Sequence, residues 1–148
     1  MQLENSIKAT GELTIVVRDE HTGQIKQTLQ ANNLVVTVGK TYLASRAVGV
    51  VSGIMSHMAI GTGTGTPVAA DTTLGTEAGR VALASGSNSA NAITYTATFP
   101  AGTGTGAITE AAVLNAATAG TVLCRTTFPV VNKAAGDSIA ITWVVTIS

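Results

Sequence analysis

An all-β, antiparallel fold, a sandwich or barrel, is the class this sequence predicts, and three observations predict it. Apolar and polar residues alternate every second position through most of the chain. The alternating runs are short, about eight in number, and are separated by turns rich in Gly and Thr. Helices do not intervene between them, as a parallel sheet would require. At 148 residues the chain reads as a single domain, 1–148, long enough to bury a core and without a linker to divide it.

The elements follow in order. Residues 1–12, "MQLENSIKATGE", are polar and read as an N-terminal arm or, from Ser6 to Thr10, as an edge strand. "ELTIVVRD" and "QIKQTLQ" flank "EHTG", whose Gly23 suits a left-handed turn position, so the two form a hairpin. One short helix is expected over 38–48, "VGKTYLASRAV", with Val38, Tyr42, Leu43 and Ala47 near one stripe. Its early Gly39 and the missing capping box count against it. "HMAIG" and "GRVALAS" are shorter strands. In "AITYTATFP", Ile93, Tyr95, Ala97 and Phe99 share a face against three threonines. "AITEAAVLNA" fits a strand or a helix, since Ala and Glu suit both. "VLCRTTFPV" sets Cys124, Thr126 and Phe128 against Arg125 and Thr127. "SIAITWVVTIS" closes the series with Ile139, Ile141, Trp143, Val145 and Ile147 on one side. Trp143 and Phe128 are the expected core anchors.

Composition narrows the function classes. Charged residues are 11% of the chain, where a soluble domain carries about a quarter. Small neutral residues replace them, with 24 Thr, 23 Ala and 16 Gly. Eight basic and eight acidic side chains leave a net charge of zero and no basic run, so nothing attracts nucleic acid or an anionic membrane. Aromatic residues, at 3%, are too few for a base-stacking platform. The start has no apolar core of a signal peptide, and no apolar stretch approaches about 18 residues, so synthesis in a cytoplasm is expected. The single Cys124 has no intrachain disulfide partner. Wide neutral surfaces without mutual repulsion favour association with copies of itself, as a dimer or trimer.

Two glycine tracts, "IGTGTGTP" at 60–67 and "AGTGTG" at 101–106, raise the question of phosphate binding. The "GKT" at 39–41 ends like a Walker loop, but Leu34 stands where that loop needs glycine. "GTGTGA" at 102–107 fits a dinucleotide fingerprint on paper. No convincing helix follows it, and no acidic residue stands about twenty positions on to hold a ribose. No cofactor is therefore expected. His21 and His57 lack companions at metal spacing, so no metal site is expected either. Asp71, Glu77, Glu110 and Asp137 lie in or beside loops, where solvated or turn-capping roles prevail. Cys124 reads as a small core residue, and no serine sits in a nucleophile elbow. No catalytic residue emerges, and the chain is not expected to be an enzyme.

From about Leu34 onward the order of motifs resembles a group of small virion structural proteins of tailed bacteriophages. The resemblance runs through "NNLVVTVGKTYLASR" and "MAIGTGTGTPVAADTTLGTEAGRVAL". It continues through "ITYTATFPAGTGTGAITEAAVLNAATAGTVLCRTTFPVVNKAAGDSIAITW". It implies a jelly-roll-like sandwich and a capsid decoration (cement) protein on the outer capsid surface, bound to the major capsid protein. A tail fibre, baseplate or receptor-binding module is the alternative. The chain shows no heptad stretch or long repeat of a fibre shaft, which favours the shell. Under this reading the long aperiodic segment after residue 60 and the "PAGTGTGAIT" loop contact neighbouring subunits. The expected interface residues are Gly61, Gly63, Gly65, Gly102 and Gly104, with Asp71 and Arg80 as polar anchors. Asp71 serves equally well as a cap of the "DTTLG" turn.

Overall fold

A computed structural model of the chain describes residues 6–50 and 53–148. In chain order the elements are β1 (Ala9–Asp19), β2 (Ile25–Val35), α1 (Thr37–Ala47), β3 (His57–Gly61), β4 (Glu77–Ala82) and β5 (Ser85–Ser89). They continue with β6 (Ala92–Phe99), β7 (Gly106–Leu114), β8 (Val122–Lys133) and β9 (Asp137–Ile147). The nine strands form one antiparallel sheet in the order β4-β3-β7-β8-β2-β1-β9-β6-β5, curled into a half-barrel. The all-β antiparallel class is thus as the alternation implies, with nine strands rather than about eight.

Strand β2 is where the sheet turns. Residues up to Asn33 pair with β1, whereas Leu34 and Val35 pair with Arg125 and Cys124 of β8. The two halves of the sheet face one another across a shared core, sandwich fashion. One half supplies rungs that run straight across three strands: Leu13–Trp143–Tyr95, Ile15–Ile141–Ala97 and Val17–Ile139–Phe99. The other supplies Met58, Ile60, Val113, Cys124 and Val131 to the same cluster. Burying each large apolar side chain in it contributes about 1.5–3 kcal/mol. Trp143 is fully buried and Phe128 nearly so, as expected of core anchors.

The connections follow local chemistry. The β1–β2 turn closes through Gly23 at φ +74°, and the Asp19 carboxylate accepts the Thr22 amide at 2.9 Å. Gly39, awkward for a helix, sits where α1 meets the backbone of Leu123, and a methyl group there would collide with the Leu123 carbonyl. Close packing of helix on strand explains the residue that weakened the helix signal. Tyr42 is the helix's main inward side chain.

Three readings change. β1 starts at Ala9 and lies between β2 and β9, so residues 9–12 belong to an interior strand and no edge strand runs from Ser6. Ser6 to Lys8 precede it, and residues 1–5 of the expected arm lie outside the described residues. "AITEAAVLNA" is strand, as β7. The additional strand is β5, "SGSNS", exposed throughout and devoid of the apolar residues by which periodicity is recognised.

Candidate interaction site

The long β3–β4 connection is laid across the outer face of its own sheet. Leu74 covers Ala59, Ala112, Leu114 and Val122 there, forming a second, smaller apolar cluster with Val36. A loop of this length buries backbone amides that need partners. Glu110, near the middle of β7 and fully buried, supplies them. Its Oε1 accepts the amides of Gly63 (2.9 Å) and Thr76 (2.7 Å). Its Oε2 accepts the Gly75 amide at 2.9 Å and the Arg125 guanidinium at 2.8 Å.

Arg125 extends the cluster from the neighbouring strand. Its Nη1 donates to the Asp71 carboxylate at 2.7 Å, and its Nη2 also reaches the Gly65 carbonyl at 3.2 Å. Asp71 in turn accepts the Val68 amide at 2.9 Å, and the Thr109 hydroxyl donates to the Gly63 carbonyl at 2.7 Å. One buried ion chain therefore fastens both ends and the middle of the loop. Burial pushes the Glu110 carboxyl up, but the Thr76 amide, the Arg125 guanidinium and the Gly75 and Gly63 amides outweigh it and hold the group below the ordinary carboxylate range. Asp71 is also held low, the Val68 amide and Arg125 overcoming its desolvation. Arg125 loses stability as a cation through burial and regains more from Glu110 and Asp71, so its pKa rises.

This chemistry is that of a fastening. Each oxygen of Glu110 already accepts two hydrogen bonds, so proton abstraction by this carboxylate would first require the loop to come away. Burial raises the Cys124 thiol far above its usual value, which removes it as a nucleophile at neutral pH. Among the described residues no three His, Cys, Asp or Glu side chains gather as metal ligands. No helix among them is long and apolar enough to cross a membrane.

Of the expected interface residues, Gly61, Gly63, Gly65 and Asp71 gather around the Glu110–Arg125 pair, and several are turned inward. Gly61 ends β3 opposite Glu110 and is buried, and Gly63 lies so close that a side chain would strike the Glu110 carboxylate. Gly65 is exposed, with its carbonyl on Arg125. Asp71 pairs with Arg125 and ties back to the Val68 amide, rather than capping the "DTTLG" turn. Arg80 is an internal anchor as well. It bonds Glu77 at 2.6 Å and the carbonyls of Ala116 and Ala119 at 2.8 and 2.9 Å, pinning β4 to the β7–β8 connection. Gly104, at φ +68°, is buried against Ile60 and Gly79, so the two Gly-Thr tracts do meet, within one chain. Gly102, at φ +84°, is exposed in the β6–β7 turn.

In the sequence Glu110 reads as lying beside a loop, and Arg125 has no evident partner. Each is the lone charge in an otherwise neutral strand segment, "AITEAAVL" and "VLCRTTF", and that was the available signal.

On the opposite flank the outward face of β6, β9 and β1 is rich in threonine, with Glu12 and Arg18 of β1 as its charged residues. Thr14, Thr142 and Thr96 stand side by side across three strands, next to the row Glu12, Val144 and Thr94. No protein-family profile, curated protein or solved structure matches this chain.

Proposed function

We propose that this chain is a structural protein of a tailed-bacteriophage virion, a decoration or cement protein that binds the outer surface of the major capsid protein shell in many copies. The observation that carries the reading is the threonine-rich outward face of β6, β9 and β1, whose inward side chains form the rungs of the core. Such a face docks with little desolvation of charge, and rigid backing keeps the ordering cost of association low. The order of motifs from Leu34 onward supports the same assignment, as does a composition with 11% charged residues. The glycine tracts then shape the molecule rather than bind nucleotide, and the role involves no turnover.

Many equivalent sites on a shell act together, so modest contacts per copy suffice to hold it. The test is to mix the protein with capsids that lack it, then measure co-sedimentation and survival under heat. Saturable binding with a rise in shell stability is expected. Failure to bind shells, combined with binding to purified tails or to host cells, would move the protein to the tail.

A further inference from the structure

The curled sheet has two free edges, β4 and β5, and they are treated differently. A free edge presents alternate unpaired amides and carbonyls to any strand of suitable shape, and natural proteins guard such edges with charges, prolines or bulges. β4 is guarded. It carries the Glu77–Arg80 ion pair, its register against β3 is broken at Ile60/Gly61, and Arg80 ties it down to the β7–β8 connection. β5 has none of these devices. All five of its residues are exposed Ser, Gly or Asn, and its register with β6 is unbroken from Ser85 to Ser89.

We propose that β5 is the surface through which a second copy of this chain binds: two copies pair their β5 strands antiparallel about a two-fold axis near Ser87, so that the sheet continues from one copy into the next. The choice of partner rests on the multi-copy role proposed above. Self-pairing sets neutral residues against neutral residues, and two copies with zero net charge do not repel. The strand is self-complementary because an antiparallel pair about a two-fold axis meets the same backbone groups on both sides.

A five-residue ladder alone buries less than the roughly 1,200 Å² of a stable interface, so apolar surface beside it must take part. The cleft along the inner side of β5, about 870 Å³, offers it: Ile54, 66% exposed, stands at this cleft with Leu83 and Ile93, over Tyr42 and Tyr95.

The test uses the full chain and two charge variants at the axis, Ser87→Lys and Ser87→Glu. Sedimentation equilibrium should find the wild type dimeric at micromolar concentration. Each variant, with an unchanged circular dichroism spectrum and melting temperature, should self-associate roughly tenfold or more weakly, since like charges then face each other across the pair. Mixing the two variants should restore a dimer containing one of each. A monomeric wild type, a dimer indifferent to both variants, or a loss that mixing fails to restore would overturn the proposal. Protection of β5 amides seen only on capsid shells would overturn it too, in favour of a foreign strand. Shell binding is scored separately: a monomeric Ser87→Lys protein that still decorates shells leaves the decoration role intact whatever becomes of the dimer.

Discussion

Glu110→Ala is expected to unfasten the β3–β4 loop and to cost about 3–5 kcal/mol, the range for removing one partner of a buried ion pair. The structure shows why the figure belongs there. The substitution orphans the amides of Gly63, Gly75 and Thr76 and one arm of Arg125. Three amides left buried would each forfeit about 1–3 kcal/mol, but the loop can lift and rehydrate them. The loss is then bounded by the undocking itself, which includes re-exposing Leu74 at about 1.5–3 kcal/mol. For a chain of this length the corresponding fall in melting temperature is about 10–15 °C. Arg125→Met should cost about 3–5 kcal/mol as well, because it leaves buried Glu110 and partly buried Asp71 without a counter-ion, even though Glu110 keeps its three amide donors. Calorimetry gives the melting temperatures, and hydrogen exchange reads the Gly63, Gly75 and Thr76 amides directly. A Glu110→Ala protein that melts within 2 °C of wild type (about 0.6 kcal/mol) and still protects those amides would refute the fastening.

The same cluster sets a pH dependence: Glu110 and Asp71 both titrate below their unfolded values of about 4.3 and 3.9, so their stabilisation is complete above about pH 5 and lost as pH falls through the lower folded-state values. Denaturant melts across that range should show the slope, and Glu110→Gln should flatten it. Trp143→Ala, emptying a fully buried site flanked by Leu13 and Tyr95, should cost about 3–5 kcal/mol; an unchanged melting temperature would mean the strand faces are assigned backwards. Cys124 should ignore a thiol reagent such as dithionitrobenzoate in the native state and react at once in denaturant, and rapid native labelling would contradict its burial. Calorimetric titration with ATP or NAD should be flat, and micromolar binding of either would restore a nucleotide role to the glycine tracts.

How far the sequence could be read depended on how many sides of a strand are covered. β1, β6 and β9 are half-buried, so their alternation is plain and each inward residue could be named in advance. β7 and the first half of β8 are covered on both faces, by the core within and by the loop and its cluster without. Their alternation is erased, which is why β7 also resembled a helix. β5 is covered on neither face and left no apolar signal at all. The site was hidden for a related reason: Asp71, Glu110 and Arg125 are far apart along the chain and meet only because β7 and β8 pair beneath the loop. Asp71 and Arg80 read as anchors from the sequence, and within the chain they tie loops to strands.

The placement of β1 governs when this molecule can fold. Its partners are β2, which follows it directly in the chain, and β9, the ninth of the described strands, with Ala9 set against Ile147. Until β9 arrives, the inner faces of β1 and β6 have nothing between them, and Trp143, which joins their rungs, is absent. The sheet therefore stays incomplete until β9 is available, and its closure carries the loop-closure entropy of joining residues as distant in the chain as Ala9 and Ile147. Truncation by even the final strand should leave two sticky edges at the centre of the sheet, and a product that aggregates rather than a smaller soluble domain.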